Sequence, residues 1–157
     1  MSLAQVYMCG RLCQKLVDGL PQIQTIPRVN QPRMAIGILE DSHVFGKQIV
    51  LQMIRSAGYE ITDWGCQLKV EDIVNRVVEQ SIDVLFISVL MLRSALLVKQ
   101  VKQELIDKGS KTVLVVGGAP FRFDPELASE VGAEYFGNTA SDALPILDSI
   151  LANRMGT

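Results

Sequence analysis

The sequence predicts an α/β fold in which five parallel strands form one open, doubly wound sheet of order 2-1-3-4-5. The first observation is that short apolar runs rich in Val, Ile, Leu and Phe recur after residue 33, as buried parallel strands require. The second is that segments with helical spacing of apolar residues separate these runs, and parallel strands need such crossovers. With 157 residues the chain is long enough for one domain with its own core.

The elements follow in a regular order along the chain. The predicted strands are Met34–Leu39, Tyr59–Trp64, Asp83–Ser88, Thr112–Val116 and Glu134–Phe136, of which the second alternates apolar and polar residues like an edge strand. Apolar stripes predict helices over residues 49–57, 73–78 and 97–106. A fourth helix begins at Asp124-Pro125-Glu126, where an acidic N-cap precedes proline, and a last one covers about residues 141–151.

Residues 1–32 differ from the rest and predict a short N-terminal helical segment with a linker. The apolar residues Leu3, Val6, Cys9, Cys13, Leu16, Val17 and Leu20 share one helical face, and residues 21–32 hold three of the six prolines. We therefore expect residues 1–32 to precede a domain at 33–157. The amphipathic helix is expected to pack on that domain or to form a homodimer contact.

Composition excludes several classes of function. The net charge of -2 and the pI of about 5.4 leave no basic footprint for nucleic acid. No apolar run reaches 18 residues, so no membrane span is expected, and no signal peptide is indicated. Three cysteines do not make a disulfide framework. A cytoplasmic protein is the expectation.

In this flavodoxin-like arrangement the ligand lies beyond the carboxyl ends of strands 1, 3 and 4, where the strand order reverses. Strand 1 is followed by Asp41-x-His43-x-x-Gly46. The Asp41 carboxylate could bond one nitrogen of His43, the only histidine, and leave the other free for a metal. Gly46 would let the chain turn into the next helix beside a bulky ligand.

The other two strand ends carry weaker signals. Strand 3 ends at Ser88, with Ser94 six residues later, and serine is also common at strand ends and helix N-caps. Strand 4 ends in Gly117-Gly118, which indicates either a loop turn or a place where a ligand presses on bare backbone. All three features fall at the predicted switch point, and this coincidence favours a ligand site.

Taken together, these motifs resemble the cobalamin-binding domain of cobalamin-dependent methionine synthase, corrinoid methyl-carrier proteins and cobalamin-dependent mutases. The resemblance covers about residues 33–154. It implies cobalamin as cofactor, as methylcobalamin or another corrinoid, bound base-off with His43 replacing the cofactor's own base as the metal ligand. It further implies that Asp41 holds the imidazole and that Ser94 extends the pair to a Ser-Asp-His relay.

The resemblance also assigns the cofactor's tail to a slot in the sheet edge. Ser88 would hydrogen-bond the tail, Leu90 would form an apolar wall, and Gly117 and Gly118 would leave room for it. The full cofactor-binding set that the resemblance implies is Glu40, Asp41, Ser42, His43, Val44, Phe45, Gly46, Ser88, Leu90, Leu92, Ser94, Gly117, Gly118, Asn138 and Thr139.

Four residues depart from the family pattern. Glu40 replaces a glycine that is usual in methyl carriers, Val44-Phe45 replaces Asp-Ile, and Leu92 replaces a threonine that often contacts the tail. The N-terminal segment is also too short for the four-helix bundle of methyl carriers.

The resemblance implies a methyl carrier that works with methyltransferase partner proteins and is not catalytic alone. Two alternatives stay open from the sequence, namely the small subunit of an adenosylcobalamin-dependent mutase and a cobalamin store or sensor. A phosphoacceptor signalling domain is discounted because Ser88 stands where its aspartate would end strand 3.

Overall fold

The structure is a computed structural model that describes residues 30–155 and, before them, Gln5, Met8, Cys9, Leu12, Cys13, Lys15, Leu16 and Gly19. Its sheet confirms the predicted fold. The strands are β1 (Met34–Ile38), β2 (Thr62–Asp63), β3 (Val84–Ser88), β4 (Val113–Gly117) and β5 (Tyr135–Gly137). All neighbouring strands pair in parallel, and their order is β2-β1-β3-β4-β5.

Six α-helices connect and follow these strands. They are α1 (Phe45–Ser56), α2 (Val70–Gln80), α3 (Leu92–Asp107), α4 (Ala119–Phe123), α5 (Glu126–Glu130) and α6 (Ala143–Met155), and a 3₁₀ turn at Ala140–Asp142 precedes α6. Pro145 lies in the first turn of α6, where its missing N–H removes no intrahelical hydrogen bond.

The core has two layers because residues along each strand alternate between the two faces of the sheet. Along β3, Leu85 and Ile87 face the layer of α2, α3, α4 and α5, whereas Val84 and Phe86 face the layer of α1 and α6. Both faces are covered, which is why these strands read as nearly continuous apolar runs.

The second strand is shorter than predicted. Tyr59 and Ile61 are buried in the α1–α6 layer, but only Thr62 and Asp63 form the ladder with β1. Beyond them, Gly65 and Gln67 have positive φ angles, and the pairing resumes as one bridge between Leu39 and Leu68. The irregular backbone between Asp63 and Leu68 therefore keeps the edge strand from continuing as one regular ladder.

The sequence predicts no helix after the glycine pair, where the structure has α4. This helix begins at Ala119, directly after the glycine pair, and Pro120 occupies its first turn. The predicted helix start further along is shifted by one residue. Pro125 is the N-cap of α5, and the Asp124 carboxylate still accepts a hydrogen bond from the Glu126 N–H at 3.2 Å.

The described residues from Gln5 to Leu16 are helical and Gly19 lies in a turn, and all of them are exposed. Among them, Met8, Leu12 and Leu16 lie four residues apart and present large apolar side chains to solvent. A homodimer contact through this helix stays a prediction, as does the division at residue 32. The predictions for Leu3, Val6, Val17, Leu20 and most of the linker lie outside the described residues.

None of the helices that the structure describes combines the length and the apolar character that crossing a membrane requires.

Candidate functional site

The carboxyl ends of four strands are aligned at one edge of the sheet. Ile38 is in register with Ser88, Ser88 with Gly117, and Gly117 with Gly137. Three of these four residues are glycine or serine, so little side-chain volume fills this edge. On the same face of the sheet, Phe86 lies two residues before Ser88 on β3, and Val115 lies two residues before Gly117 on β4.

A cleft of about 630 Å³ opens at this edge, between the sheet and the helices α1 and α6. Its size suits a small organic ligand. Buried apolar residues of the strands form its floor, and short side chains and the ends of helices form its walls. We call it the edge cleft; it is lined by Ile36, Gly46, Val50, Phe86, Ile87, Ser88, Val115, Val116, Gly117, Gly118, Ala119, Arg122, Phe123, Gly137, Asn138, Thr139, Ala140, Ala143 and Ile146.

The loop after β1 holds the histidine as the sequence predicted. The Nδ1 atom of His43 lies 2.5 Å from Oδ1 of Asp41, and the same oxygen accepts hydrogen bonds from the N–H groups of Ser42 at 2.6 Å and His43 at 3.1 Å. The His43 side chain is 61% exposed, whereas that of Asp41 is 2% exposed. None of the hydrogen bonds among the described residues includes Nε2 of His43. The pair therefore presents this nitrogen to a ligand.

The Asp41 carboxylate also reaches the loop after β3. Its Oδ2 atom accepts a hydrogen bond from the N–H of Leu90 at 2.9 Å. Burial raises the pKa of the Asp41 carboxyl, but hydrogen bonds from the His43 ring and from the N–H groups of Leu90, His43 and Ser42 outweigh burial and lower this pKa below its ordinary value. Asp41 is therefore an anion at neutral pH and fixes the imidazole orientation.

In the structure, Ser94 does not extend the Asp41–His43 pair to the predicted Ser-Asp-His relay. Ser94 is buried in the first turn of α3, two residues inside it, so it is not a helix N-cap. Its Oγ atom donates to the carbonyl oxygen of Glu40 at 3.4 Å. The serine therefore contacts the backbone of the residue before Asp41 rather than the Asp41 carboxylate.

The two adjacent glycines have different physical requirements. A Cβ atom on Gly117 would lie 3.6 Å from the carbonyl oxygen of Gly137, an ordinary contact. A Cβ atom on Gly118 would lie 1.7 Å from the carbonyl oxygen of Val89, and Gly118 has a φ of 123°. Gly117 therefore leaves space in the edge cleft, whereas Gly118 is required by the close approach of the loops after β3 and β4.

Gly46 does not act as the predicted turn residue. It is the second residue of α1 and its φ is not positive. Among the described residues, a Cβ atom there would meet no atom within 4 Å beyond its chain neighbours and its own helix. The space beside it belongs to the edge cleft. The helix itself begins after Val44, the half-buried N-cap, with Phe45 exposed at its first position.

Of the remaining predicted residues, Asn138, Thr139 and Ser88 line the edge cleft, and Leu90, Leu92 and Ser42 do not. Asn138 and Thr139 are exposed and line the edge cleft, and the Thr139 N–H donates to Asp142 at 2.8 Å. Leu90 and Leu92 lie outside the lining, where both side chains are exposed at the start of α3, as is Ser42 after β1. Ser88 lines the cleft beside the glycine pair.

A B12 binding domain family matches residues 34–147, a stretch that contains every strand and the whole edge cleft. The chain belongs to the B12 binding domain family. Its cofactor is therefore cobalamin or another corrinoid.

Curated relatives of this B12 binding domain are corrinoid proteins. The chain is 33% identical over 114 residues to a trimethylamine corrinoid protein of Methanosarcina barkeri, which covers 71% of the chain and 52% of the relative. It is 30% identical over 122 residues to a corrinoid protein of Desulfitobacterium hafniense, covering 76% of the chain and 56% of the relative. The chain thus spans about half the length of the curated relatives it matches.

A solved structure has the same fold. The monomethylamine corrinoid protein of Methanosarcina barkeri superposes with a TM-score of 0.72 at 22% identity, covering 93% of this chain and 70% of that one.

The described residues fit a corrinoid. The imidazole of His43 is held by a buried carboxylate with Nε2 outward, which is the arrangement of a metal-binding histidine. The edge cleft has room for a tail, since Gly46 and Gly117 leave open the space that side chains would fill.

Sequence reasoning missed two features of this B12 binding domain. Arg122 and Phe123, which belong to α4, line the edge cleft, and the Phe123 side chain is 87% exposed. Lys47 follows Gly46 and is buried, where its Nζ atom forms an ion pair with Asp63 of β2. Lys47 precedes the helix that the sequence predicts over residues 49–57 and carries no sequence signal of burial, and the sequence predicts no helix over residues 119–123.

Proposed function

We propose that this B12 binding domain is part of a corrinoid methyl carrier and binds its cofactor base-off, with His43 as the protein ligand to cobalt. The observation that carries the proposal is the Asp41–His43 pair beside the edge cleft. When bound, the corrinoid supplies a cobalt centre that accepts and gives up a methyl group. The chain supplies ligation, orientation and access.

His43 would offer Nε2 to cobalt because Nδ1 is already engaged. Asp41 is anionic at neutral pH, so a neutral imidazole beside it carries its proton on Nδ1 and keeps the lone pair on Nε2. A buried carboxylate that holds the other ring nitrogen also raises the basicity of a ligating histidine. Asp41 is thus a positioning residue.

The edge cleft would receive the nucleotide tail of the cofactor. Its floor is formed by Ile36, Phe86 and Val115, whose apolar side chains suit an aromatic base. Ser88 and Asn138 line the walls and offer hydrogen-bond partners to the tail's polar atoms. The separation of the tail from the cobalt is what leaves a position open for His43.

The corrin ring itself would cover the sheet edge around the cleft mouth. Large apolar side chains are exposed there at Phe45, Leu90, Met91, Leu92 and Phe123. A cluster of exposed apolar side chains at a ligand site marks a surface that is covered in the bound state.

Carriage of methyl groups is favoured over a mutase or sensor role by the curated relatives, which are named as methylamine corrinoid proteins. A solved complex of similar fold is a methanol:cobalamin methyltransferase complex of Methanosarcina barkeri, with a TM-score of 0.68 at 23% identity over 97% of this chain and 58% of that one. We therefore propose methyltransferases as the partners of this chain.

Paramagnetic resonance of the protein loaded with cobalt(II) cobalamin tests the ligation. Protein would be prepared once with natural nitrogen and once with nitrogen-15, while the cofactor keeps natural nitrogen. If His43 is the ligand, the axial hyperfine splitting changes from a triplet to a doublet in the labelled protein. A triplet in both samples would mean that the cofactor's own base stays on cobalt, and the base-off proposal would fail.

A methyl-transfer assay tests the carrier role separately. The loaded protein, with its cobalt first reduced to cobalt(I) by an added chemical reductant, would be mixed with a corrinoid-dependent methylamine methyltransferase and the matching methylamine. Methylation of the cofactor would be followed by its absorption spectrum. Methylation that depends on the partner supports a carrier. A loaded protein that takes up no methyl group but forms a radical with a mutase barrel subunit would favour the mutase alternative.

A further inference from the structure

One charged side chain belongs to the lining of the edge cleft, and it is Arg122. The other lining residues that the structure describes are apolar, glycine, or neutral polar residues such as Ser88 and Asn138. Arg122 is exposed in α4, the short helix that follows the glycine pair at the end of β4. Its position at the outer part of the cleft places a permanent positive charge beside an otherwise neutral site.

Within the part of the chain that the structure describes, this guanidinium has no anionic partner. Lys47 pairs with Asp63, Lys102 with Glu134, and Arg154 with Asp83, whereas the side chain of Arg122 enters none of the ion pairs or hydrogen bonds. No acidic residue lines the cleft to neutralise it. Because its side chain pairs with no described residue, Arg122 has no evident role in holding the fold together. Its unpaired charge at the cleft favours a ligand that carries an anion.

We propose that Arg122 binds the phosphodiester of the corrinoid's nucleotide tail and thereby selects complete corrinoids over those that lack the nucleotide. This inference rests on the proposed placement of the tail in the edge cleft. The phosphodiester joins the aromatic base and its ribose to the corrin side chain. If the base lies on the apolar floor formed by Phe86 and Val115, the phosphate lies nearer the mouth, where Arg122 is exposed.

The guanidinium suits this group for two reasons. It carries one positive charge, which matches the single negative charge of a phosphodiester. Its planar fork of N–H donors can also bond two phosphate oxygens at once, whereas lysine offers one point charge.

The test compares two corrinoids in three proteins. Dissociation constants for cobalamin and for cobinamide, which has the same corrin but no nucleotide phosphate or base, would be measured by absorption titration. The proteins are the natural chain, Arg122→Gln and Lys99→Gln, which removes one positive charge from the exposed side of α3, outside the cleft lining. We expect Arg122→Gln to weaken cobalamin binding about three- to tenfold and to leave cobinamide binding unchanged. Lys99→Gln should alter neither.

Each outcome bears on one part of the inference. Equal losses for both corrinoids, or no loss for either, would overturn the assignment of Arg122 to the phosphate. If the natural chain itself binds cobinamide as tightly as cobalamin, the tail is not in the cleft, and the proposed base-off placement fails instead. Arg122→Lys separates charge from geometry, since partial recovery of cobalamin affinity would support a phosphate contact, and recovery of none with a folded protein would oppose it.

Discussion

The carboxylate of Asp41 joins the loops that follow β1 and β3, because its Oδ2 atom accepts a hydrogen bond from the backbone N–H of Leu90 at 2.9 Å. The other oxygen holds the Nδ1 atom of His43 at 2.5 Å. The imidazole is therefore oriented relative to two neighbouring strands of the sheet and not by its own loop alone. A change at Asp41 should disturb both the fold of this edge and the ligation of cobalt.

Asp41→Asn should lower the free energy of unfolding by about 1–3 kcal/mol at pH 7, since an amide replaces a buried anion that accepts four hydrogen bonds. The pKa of Asp41 is lowered in the folded chain, so its stabilising contribution is full above the unfolded value of about 3.9 and is lost as the pH falls through the folded value. Denaturant unfolding at several pH values should show the difference from the natural chain shrinking below about pH 4.

Asp148→Asn is the matched control for this change, because Asp148 is exposed on α6. It should unfold like the natural chain at every pH. A stability loss in Asp41→Asn that stays constant down to pH 2 would contradict the role assigned to the Asp41 charge.

His43→Ala should separate cofactor ligation from folding. The side chain is 61% exposed, so the free energy of unfolding without cofactor should change by less than about 1 kcal/mol. Cobalamin affinity should fall at least about tenfold, and the protein nitrogen should disappear from the cobalt(II) spectrum. Glu79→Ala, at an exposed position of α2 outside the cleft lining, should keep both. An unchanged spectrum in His43→Ala would remove His43 from the metal.

Substitution of the two glycines at the end of β4 should affect different properties, namely cobalamin affinity at Gly117 and stability at Gly118. Gly117→Val places a branched side chain in open space within the edge cleft, so we expect a folded protein whose cobalamin affinity is reduced about tenfold or more. Gly118→Ala forces a Cβ atom into the Val89 carbonyl at a φ of 123° and should cost about 3 kcal/mol or more of stability.

Thermal unfolding and absorption titration of the two glycine variants check these expectations. Normal cobalamin affinity in a folded Gly117→Val protein would mean that the tail lies outside the edge cleft. A Gly118→Ala protein as stable as the natural chain would mean that the loops after β3 and β4 separate easily.

The sheet and the contact between Asp41 and His43 could be predicted because their signals are local. The strands β1, β3 and β4 each carry an apolar run, and short alternating elements leave few ways to connect a parallel sheet. Asp41 and His43 lie two residues apart, so one loop brings them together without help from the rest of the fold.

The features that were missed depend on distant parts of the chain. The burial of Lys47 is compensated by Asp63, 16 residues away on β2, and a helical pattern assigns such a lysine to solvent. Glycine is required at residue 118 because the carbonyl of Val89 lies close to it, and the sequence alone does not predict this approach of two loops. Ser94 was predicted to contact Asp41, but the turn of α3 places its Oγ atom on the backbone of Glu40.

Glu40 is a departure from the family pattern that the backbone makes testable. It has a φ of 45°, in the left-handed region where a side chain is strained, and its carboxylate enters none of the hydrogen bonds or ion pairs of the described residues. Glu40→Gly should therefore raise the free energy of unfolding by about 0.5–1 kcal/mol, the relief of strain less the greater unfolded-state entropy of glycine.

Denaturant unfolding of Glu40→Gly beside Glu60→Gly checks this expectation. Glu60 is also exposed, but its φ is not positive, so glycine there gives no relief and should lower stability. The backbone contacts of Glu40, to Leu68 and Ser94, are retained in the glycine variant, so the site after β1 should keep its shape. If both variants lose stability alike, the left-handed backbone at residue 40 carries no strain.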